Sequence, residues 1–344
     1  MSGPVDIGIV GLGWVARDYM LPAIAAHPGA RLAAVCSVGA DDFAGLAEEV
    51  GRYRTLDALI AHRPRLGAAY VATPNHLHAE QAVALLEAGI PVLCEKPMAP
   101  TATEAAEIVA AAHRTRTAYV TAYDQRHHPA HERMRELVAG GTLGRLAQIR
   151  LDYACWVGAD WSDDNWRIDR ERAGGGAVID LAPHGLDLIE RISGERIECL
   201  TGLLQRAVQD YPVDDGGALV GRLAGGALLA QTVGYNRPEA LPRRTLTVVG
   251  TEGQLEAVDT MGQTPGGTLH LTRAADGQRA AVPFDVDRGP FLGQLEAFLR
   301  VVSGQVVARD PADDLRLVRL LEGVLRAGPP APSCKPPVCR TDAP

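Results

Sequence analysis

Lysine is scarce in this chain. Among 344 residues the 34 Lys plus Arg include lysine only at positions 96 and 335, and arginine supplies the remainder. Arginine serves wherever a fixed charge suffices, because its guanidinium stays protonated, whereas a lysine amine can tune its proton affinity and relay a proton. Lys335 falls in the run PSCKPPVCRTDAP, so Lys96 is the lysine expected in the folded body. A position that keeps an amine against that background is a candidate for chemistry.

A positive field is also missing. The net charge is −8 and the arginines are scattered among carboxylates, which excludes the basic surface that polyphosphate backbones require; nucleic acid is not expected as a partner. No apolar run approaches the ~18 residues of a membrane span. The amino terminus MSGPVDIGIVGLG runs straight into a strand pattern without a basic region or cleavage site, so a cytoplasmic protein without membrane contact is expected. Six cysteines do not make a disulfide framework at this length, and none has the paired spacing of structural zinc. Cys36, Cys94, Cys155 and Cys199 lie in apolar strand-like runs and read as small core residues, while Cys334 and Cys339 sit in the terminal run.

The 47% hydrophobic content is enough for two cores. Strands and helices alternate through the first third: VDIGIVGLG, RLAAVCSV, GAAYVATP, PVLCEK and TAYVTAY are strands, separated by helices at 14–27, 41–50, 78–89 and 101–115. That rhythm implies parallel βαβ units, a doubly wound Rossmann sheet covered on both faces. After residue 123 the pattern changes to a helix at 129–139, a strand LAQIRLDYACW, a helix near DLAPHGLDLIERISG and six further strand runs divided by Gly, Pro and Asp turns. This predicts an α/β unit with a large, mainly antiparallel open sheet, closed by helices at 290–302 and 312–326. The expected division is 1–123, 124–328 and a Pro-rich, disordered tail over 329–344.

IGIVGLGWVA places Gly11, Gly13 and Ala16 in the G-x-G-x-x-(G/A) pattern after the first strand, with Trp14 and Val15 between them. Gly11 permits the tight turn, Gly13 lets backbone approach a pyrophosphate, and Ala16 allows close helix packing; the helix N-terminus then faces the anion. The second strand ends on Cys36 and Ser37 rather than on the acid that usually holds an NAD ribose. Asp41 and Asp42 would repel a 2′-phosphate and no arginine follows at once, so NAD or NADP stays open.

GLGWVA, YVATPNHLHAEQAVALLEAGIPVLCEKPMAPTATEA and GGGAVIDLAPHGLDLI, in that order, resemble the glucose–fructose oxidoreductase and inositol dehydrogenase family, Gfo/Idh/MocA. The resemblance implies an NAD(P)-dependent oxidoreductase that moves hydride between nicotinamide and a carbinol or ketone carbon of a sugar, inositol or related polyol. It also implies a homodimer or homotetramer built through the second unit. Alternatives within reach of the same motifs are redox-neutral glycoside cleavage or epimerisation with resident NAD, and a non-catalytic dinucleotide- and sugar-binding regulator.

By the same resemblance the E-K-P motif falls on Glu95, Lys96 and Pro97, with Lys96 at the reacting hydroxyl and Pro97 commonly cis. The D-x-x-x-H motif falls on Asp180 and His184, whose i, i+4 spacing puts both on one helix face. Alcohol oxidation needs a base for the hydroxyl proton, which suits His184, and a cation for the developing alkoxide, which suits Lys96; Asp180 orients either. Thr73, Pro74, Asn75 and His78 are expected to line the cofactor with Glu95 and Ser37. The segment AYDQRHHP joins the two units, where Gln125 is a cofactor candidate and Arg126 a substrate candidate. Trp166, Arg167 and Tyr235 are further substrate candidates. Trp156 and Trp161 read as core or lid packing, and Asp160, Asp163 and Asp164 as solvated acids. His127, His128 and His131 lack a matching carboxylate cage, so no metal site is expected.

Overall fold

A computed structural model describes residues 3–39, 42–61, 66–157 and 165–326. Trp161, Asp160, Asp163, Asp164 and the terminal run with Cys334, Lys335 and Cys339 lie outside the described residues.

Strands β1 (Val5–Val10), β2 (Ala30–Cys36), β3 (Gly51–Tyr53), β4 (Ala68–Val71), β5 (Val92–Glu95) and β6 (Tyr119–Ala122) form one sheet in the order β3-β2-β1-β4-β5-β6. Every pairing in it is parallel, which the helical crossovers between successive strands require. The order reverses between β1 and β4, so the loops leaving their carboxyl ends diverge and open a crevice, the position where such sheets take ligands. Strand residues here are apolar on both sides because both faces are covered. Ala69, Val71, Val92 and Cys94 face one core, and Ile7, Ile9, Tyr70 and Leu93 the other.

The second sheet comprises β7 (Leu146–Ala154), β8 (Ile197–Gln205), β9 (Gly216–Leu223), β10 (Leu228–Gly234), β11 (Arg244–Gly250), β12 (Gly253–Val258), β13 (Thr268–Arg273) and β14 (Arg279–Ala281). Its order is β14-β13-β12-β11-β7-β10-β9-β8, antiparallel except where β10 lies parallel to β7. One face is covered by the helix Ala177–Ser193, 17 residues of which most are buried. The other face is open: the register brings Thr201, Val220 and Ala230 side by side, with Leu203 and Leu228 two residues along on the same side.

Three expectations are corrected. The helix at 41–50 is absent among the described residues of that stretch, which form turns. Asp42 explains this, because its carboxylate accepts from Gly39 N at 2.8 Å and Gly45 adopts φ +78°, so the backbone closes on itself instead of propagating a helix. Cys199 is exposed rather than buried. An irregularity between Ile197 and Cys199 on the edge strand β8 breaks the in-out alternation and turns the thiol outward. Finally, the helix Pro290–Val302, grouped by chain order with the second unit, covers the first sheet: Phe291, Leu295 and Phe298 join Ile7, Ile9 and Met20 in one core. The last helix, Pro311–Arg326, serves both layers, with Leu315 and Val318 in a first-sheet core and Leu317, Leu321 and Val324 beneath the second sheet.

Candidate active site

A cleft of about 810 Å³ runs from the carboxyl ends of β1 and β4 to the helix Ala177–Ser193. At its first end Gly11 sits at φ +88°, and a Cβ there would lie 2.7 Å from Thr73 Cγ2 and 2.8 Å from the Ala72 carbonyl. Gly11 is thus required by backbone conformation and by crowding alike. Gly13 is different: a Cβ there would meet nothing within 4 Å, so this glycine leaves open room at the turn. Helical structure follows over 14–26, π-wound at Ala16–Met20. Trp14 and Val15 line the cleft, while Ala16 is fully buried in the core and provides the close helix contact. The chain's residues therefore fit a pyrophosphate at this turn.

Beyond the turn, Ser37 donates to Asp42 Oδ2, and Arg17 Nη2 donates to Asp42 Oδ1 at 3.0 Å. Burial pushes the Asp42 carboxyl up, but these bonds and that of Gly39 prevail and hold it below its usual value. Arg54, from the loop after β3, also lines this end and donates to Ser37 O at 3.1 Å. Two arginines thus reach a place where local sequence showed none. They come from 20 residues before Ser37 and 17 after it, so only the fold joins them.

Midway, Thr73, Pro74, Asn75 and His78 line the cleft. The His78 ring lies 2.9 Å from both Pro97 O and Thr73 O and is fully buried, so it clamps the loop after β4 to the loop after β5. Burial lowers its proton affinity. Asn75 Nδ2 donates to Ala173 O at 2.9 Å and ties in the segment before the glycine run.

At the far end Lys96 follows β5, and the Lys96–Pro97 peptide is cis. Lys96 Nζ donates to Asp180 Oδ1 at 2.6 Å and to Asp180 O at 3.0 Å. Tyr235, at the end of β10, donates to Asp180 Oδ2 at 2.6 Å, so both carboxylate oxygens are fixed. Burial would raise the Asp180 carboxyl, but Lys96, then Arg167, hold it well below the usual carboxylate range. Glu95 behaves oppositely. Burial pushes it up to about 7 although it accepts from Tyr70 Oη at 2.6 Å and neighbours Lys96. One helical turn beyond Asp180, His184 faces Asp124, with Nδ1 3.2 Å from Oδ1, and its ring meets Tyr153 edge-on at 5.7 Å.

The glycine run 174–176 explains how this helix reaches its place. A Cβ on Gly176 would come within 2.0 Å of Asp214 O, so the helix start lies directly on the segment leading into β9. Asp214 caps it from that segment, accepting from Gly176 N and Val178 N, each at 2.8 Å.

Trp166 and Arg167 line the cleft, stacked on one another at 4.5 Å, and Tyr235 lies behind Asp180. Gln125 and Arg126 do not reach the cleft lining. Gln125 is fully buried and donates to Asp124 Oδ2 and Gly262 O, each at 2.9 Å. Arg126, expected at the substrate, turns inward because buried acids claim it: Nε donates to Asp187 Oδ2 at 2.7 Å, and Asp314 lies 3.7 Å away. Local motifs missed Asp124, Tyr153 and Arg244, all of which border the cleft. Asp124 was visible as an acid in the joining segment, but nothing in the sequence indicated its partner 60 residues later.

Comparison with known proteins agrees with this layout. Residues 5–123 match the family model described as oxidoreductase family, NAD-binding Rossmann fold, and residues 131–256 match the GFO/IDH/MocA C-terminal domain. The chain is 31% identical over 285 residues to 1,5-anhydro-D-fructose reductase of Ensifer adhaerens, covering 81% of this chain and 82% of that one. It is 28% identical to D-xylose 1-dehydrogenase (NADP(+)) 2 of Haloferax volcanii, covering 92% of this chain and 95% of that one. In fold it matches the crystal structure of aldose-aldose oxidoreductase from Caulobacter crescentus complexed with glycerol, with a TM-score of 0.83 over 94% of this chain and 98% of that one at 24% identity.

Proposed function

The chain belongs to the Gfo/Idh/MocA family of NAD(P)-dependent oxidoreductases, and from that premise we propose that it interconverts a carbinol and a ketone on a sugar, inositol or related cyclic polyol. The observation that carries the reading is the Lys96–Asp180 pair at 2.6 Å, one helical turn from His184, in the same cleft that begins at the open Gly13 turn.

A nicotinamide dinucleotide, held by the Gly11–Gly13 turn, Trp14, Val15, Ser37, Thr73 and Pro74, supplies the hydride acceptor or donor. The remaining work falls to side chains. The Lys96 ammonium stabilises the negative charge that develops on the substrate oxygen, since it sits in a largely enclosed site where charge is weakly screened. Asp180 holds that ammonium, and Tyr235 holds Asp180. His184 accepts the hydroxyl proton in the oxidative direction and returns it in the reductive one. Trp166 and Arg167 border the substrate, an apolar ring face beside a hydrogen-bond donor, as a polyol requires.

Residues 1–123 are the dinucleotide unit, completed by the 290–302 helix, and the rest of 124–328 the substrate unit. Leu203, Val220 and Leu228 are more than half exposed, at 77%, 52% and 56%, on one face of the second sheet. That face supports a homodimer or homotetramer. Among the described residues no helix is long and apolar enough to cross a membrane. With the acidic net charge this supports a cytoplasmic enzyme whose partners are small polyols rather than nucleic acid or membrane.

Purified protein offered sugars, inositols and related polyols with NAD+ and with NADP+ should generate reduced nicotinamide in proportion to substrate consumed, read by absorbance. Absence of reduction across the panel, and of oxidation with the matching ketones and reduced cofactors, refutes the reading.

A further inference from the structure

His184 Nδ1 is buried and has no aligned hydrogen-bond partner, yet Asp124 Oδ1 lies 3.2 Å from it. Asp124 comes from the 3-10 turn Asp124–His127 after β6, on a different element from the helix that carries His184. Both side chains are almost wholly enclosed, at 6% and 4% exposure. The other carboxylate oxygen is held by Gln125 Nε2 at 2.9 Å, and Gln125 is itself anchored on Gly262 O, so the acid has little freedom to turn away.

We propose that Asp124 is a positioning residue for His184: its carboxylate keeps the proton of the neutral ring on Nδ1, leaves Nε2 bare for the substrate hydroxyl, and stabilises the imidazolium once that proton is taken. The idea rests on the hydride-transfer reading above. In the oxidative direction the O–H bond breaks and an Nε2–H bond forms as the carbinol carbon loses hydride to the nicotinamide. The positive charge created on the ring then stands against a fixed negative one.

Other groups around the ring do not do this. Tyr153 presents a ring edge from β7, and Arg244 of β11 lies over Tyr153 at 5.9 Å rather than on the imidazole. Asp180, on the same helix as His184, is taken up by Lys96 and Tyr235. Glu95, beside Lys96, accepts from Tyr70, and Cys155, just after β7, is a half-buried thiol whose proton affinity burial raises. Asp124 itself is pushed up by burial, but His184 and then Lys96 outweigh this and hold it below its usual value, so it faces the ring as a carboxylate.

Histidine labelled with 15N, with His184→Gln to assign the signal, reads the tautomer without turnover. The expected result is Nδ1–H at pH 8 in the unaltered protein, and a shift toward Nε2–H in Asp124→Asn. Kinetically, Asp124→Asn should lower kcat about tenfold or more with little change in KM, and its acidic limb of kcat/KM should move to lower pH, because an amide does not stabilise the imidazolium. An Nε2–H tautomer in the unaltered protein overturns the proposal, and that measurement stands even if the variant does not fold. Unchanged kcat and pH profile in a folded variant overturn it too. Absence of turnover by the unaltered protein with a wrong tautomer overturns both readings, and with the right tautomer only the reading of the reaction.

Discussion

One helix, Ala177–Ser193, carries two sets of acids with opposite fates. Near its start Asp180 meets Lys96 in the cleft, where the pair keeps a side open to solvent, with 22% and 13% exposure. Farther along, Asp187 is 1% exposed, accepts from Arg126 and lies 3.5 Å from Arg309, which reaches Asp314 at 3.4 Å. Glu190 completes that group through Arg316 and the Ile197 amide. The first set has a free side on which a ligand can add a contact. The second is paired within the protein, with Asp187 and Glu190 each held by arginines and little side left for a ligand, and it ties the two sheets together. The acids are alike in charge and share one helix, so what separates the open pair from the closed network is whether the surrounding packing leaves room beside it.

The comparison breaks most visibly on the closed side. Arg126→Ala removes the closest cation from the buried Asp187 and a neighbouring one from Asp314, leaving Arg309 as the paired arginine, and should cost about 3–5 kcal/mol in urea unfolding. A loss below ~1 kcal/mol would mean that the network is not what joins the sheets. On the open side, Lys96→Ala and His184→Ala should each lower turnover by at least ~10²-fold, roughly 2.7 kcal/mol of barrier, in protein with a native circular dichroism spectrum. Near-normal turnover in either would return that residue to a merely structural part.

A closed polar site without formal charge offers a finer test. His131, 1% exposed, uses one ring nitrogen at 2.9 Å from Gln125 O and the other at 2.8 Å from Thr260 Oγ1. Burial depresses its proton affinity to about 3. Between the unfolded value near 6.5 and about 3, the unfolded chain takes up a proton that the folded one refuses. Stability contributed by neutral His131 is therefore complete above pH ~6.5 and about 2 kcal/mol lower at pH 5. His131→Gln should flatten that part of the pH dependence of the urea midpoint, whereas Lys96→Ala should not. The smallest effect belongs to Tyr235→Phe, which removes one hydrogen bond to Asp180 while Lys96 remains. Turnover should fall about 3- to 10-fold, corresponding to ~1 kcal/mol.

Much of this was legible in the chain itself. Alternating apolar runs declared the parallel sheet, the glycine spacing declared the turn, and an isolated amine against an arginine background drew attention to Lys96. The family resemblance pointed to Asp180 and His184, and their i, i+4 spacing then put both on one helix face. What escaped was set by contacts across long separations. Arg126 looks like a substrate ligand until Asp187, 61 residues on, and Asp314 are seen to hold it. Asp124 looks like an ordinary acid until His184 stands beside it. The turns at 42–50 escaped for a local reason, since a carboxylate folding back on its own backbone leaves no mark in hydrophobic periodicity.

The path of the last two helices has a consequence for biosynthesis. Because Phe291, Leu295 and Phe298 fill the interior under β1, and Leu315 and Val318 the opposite side, the amino-terminal layer cannot finish its own packing while the ribosome still holds the distal third. Leu317, Leu321 and Val324 play the same part beneath the second sheet, so a chain stopped before residue 290 lacks side chains from both interiors.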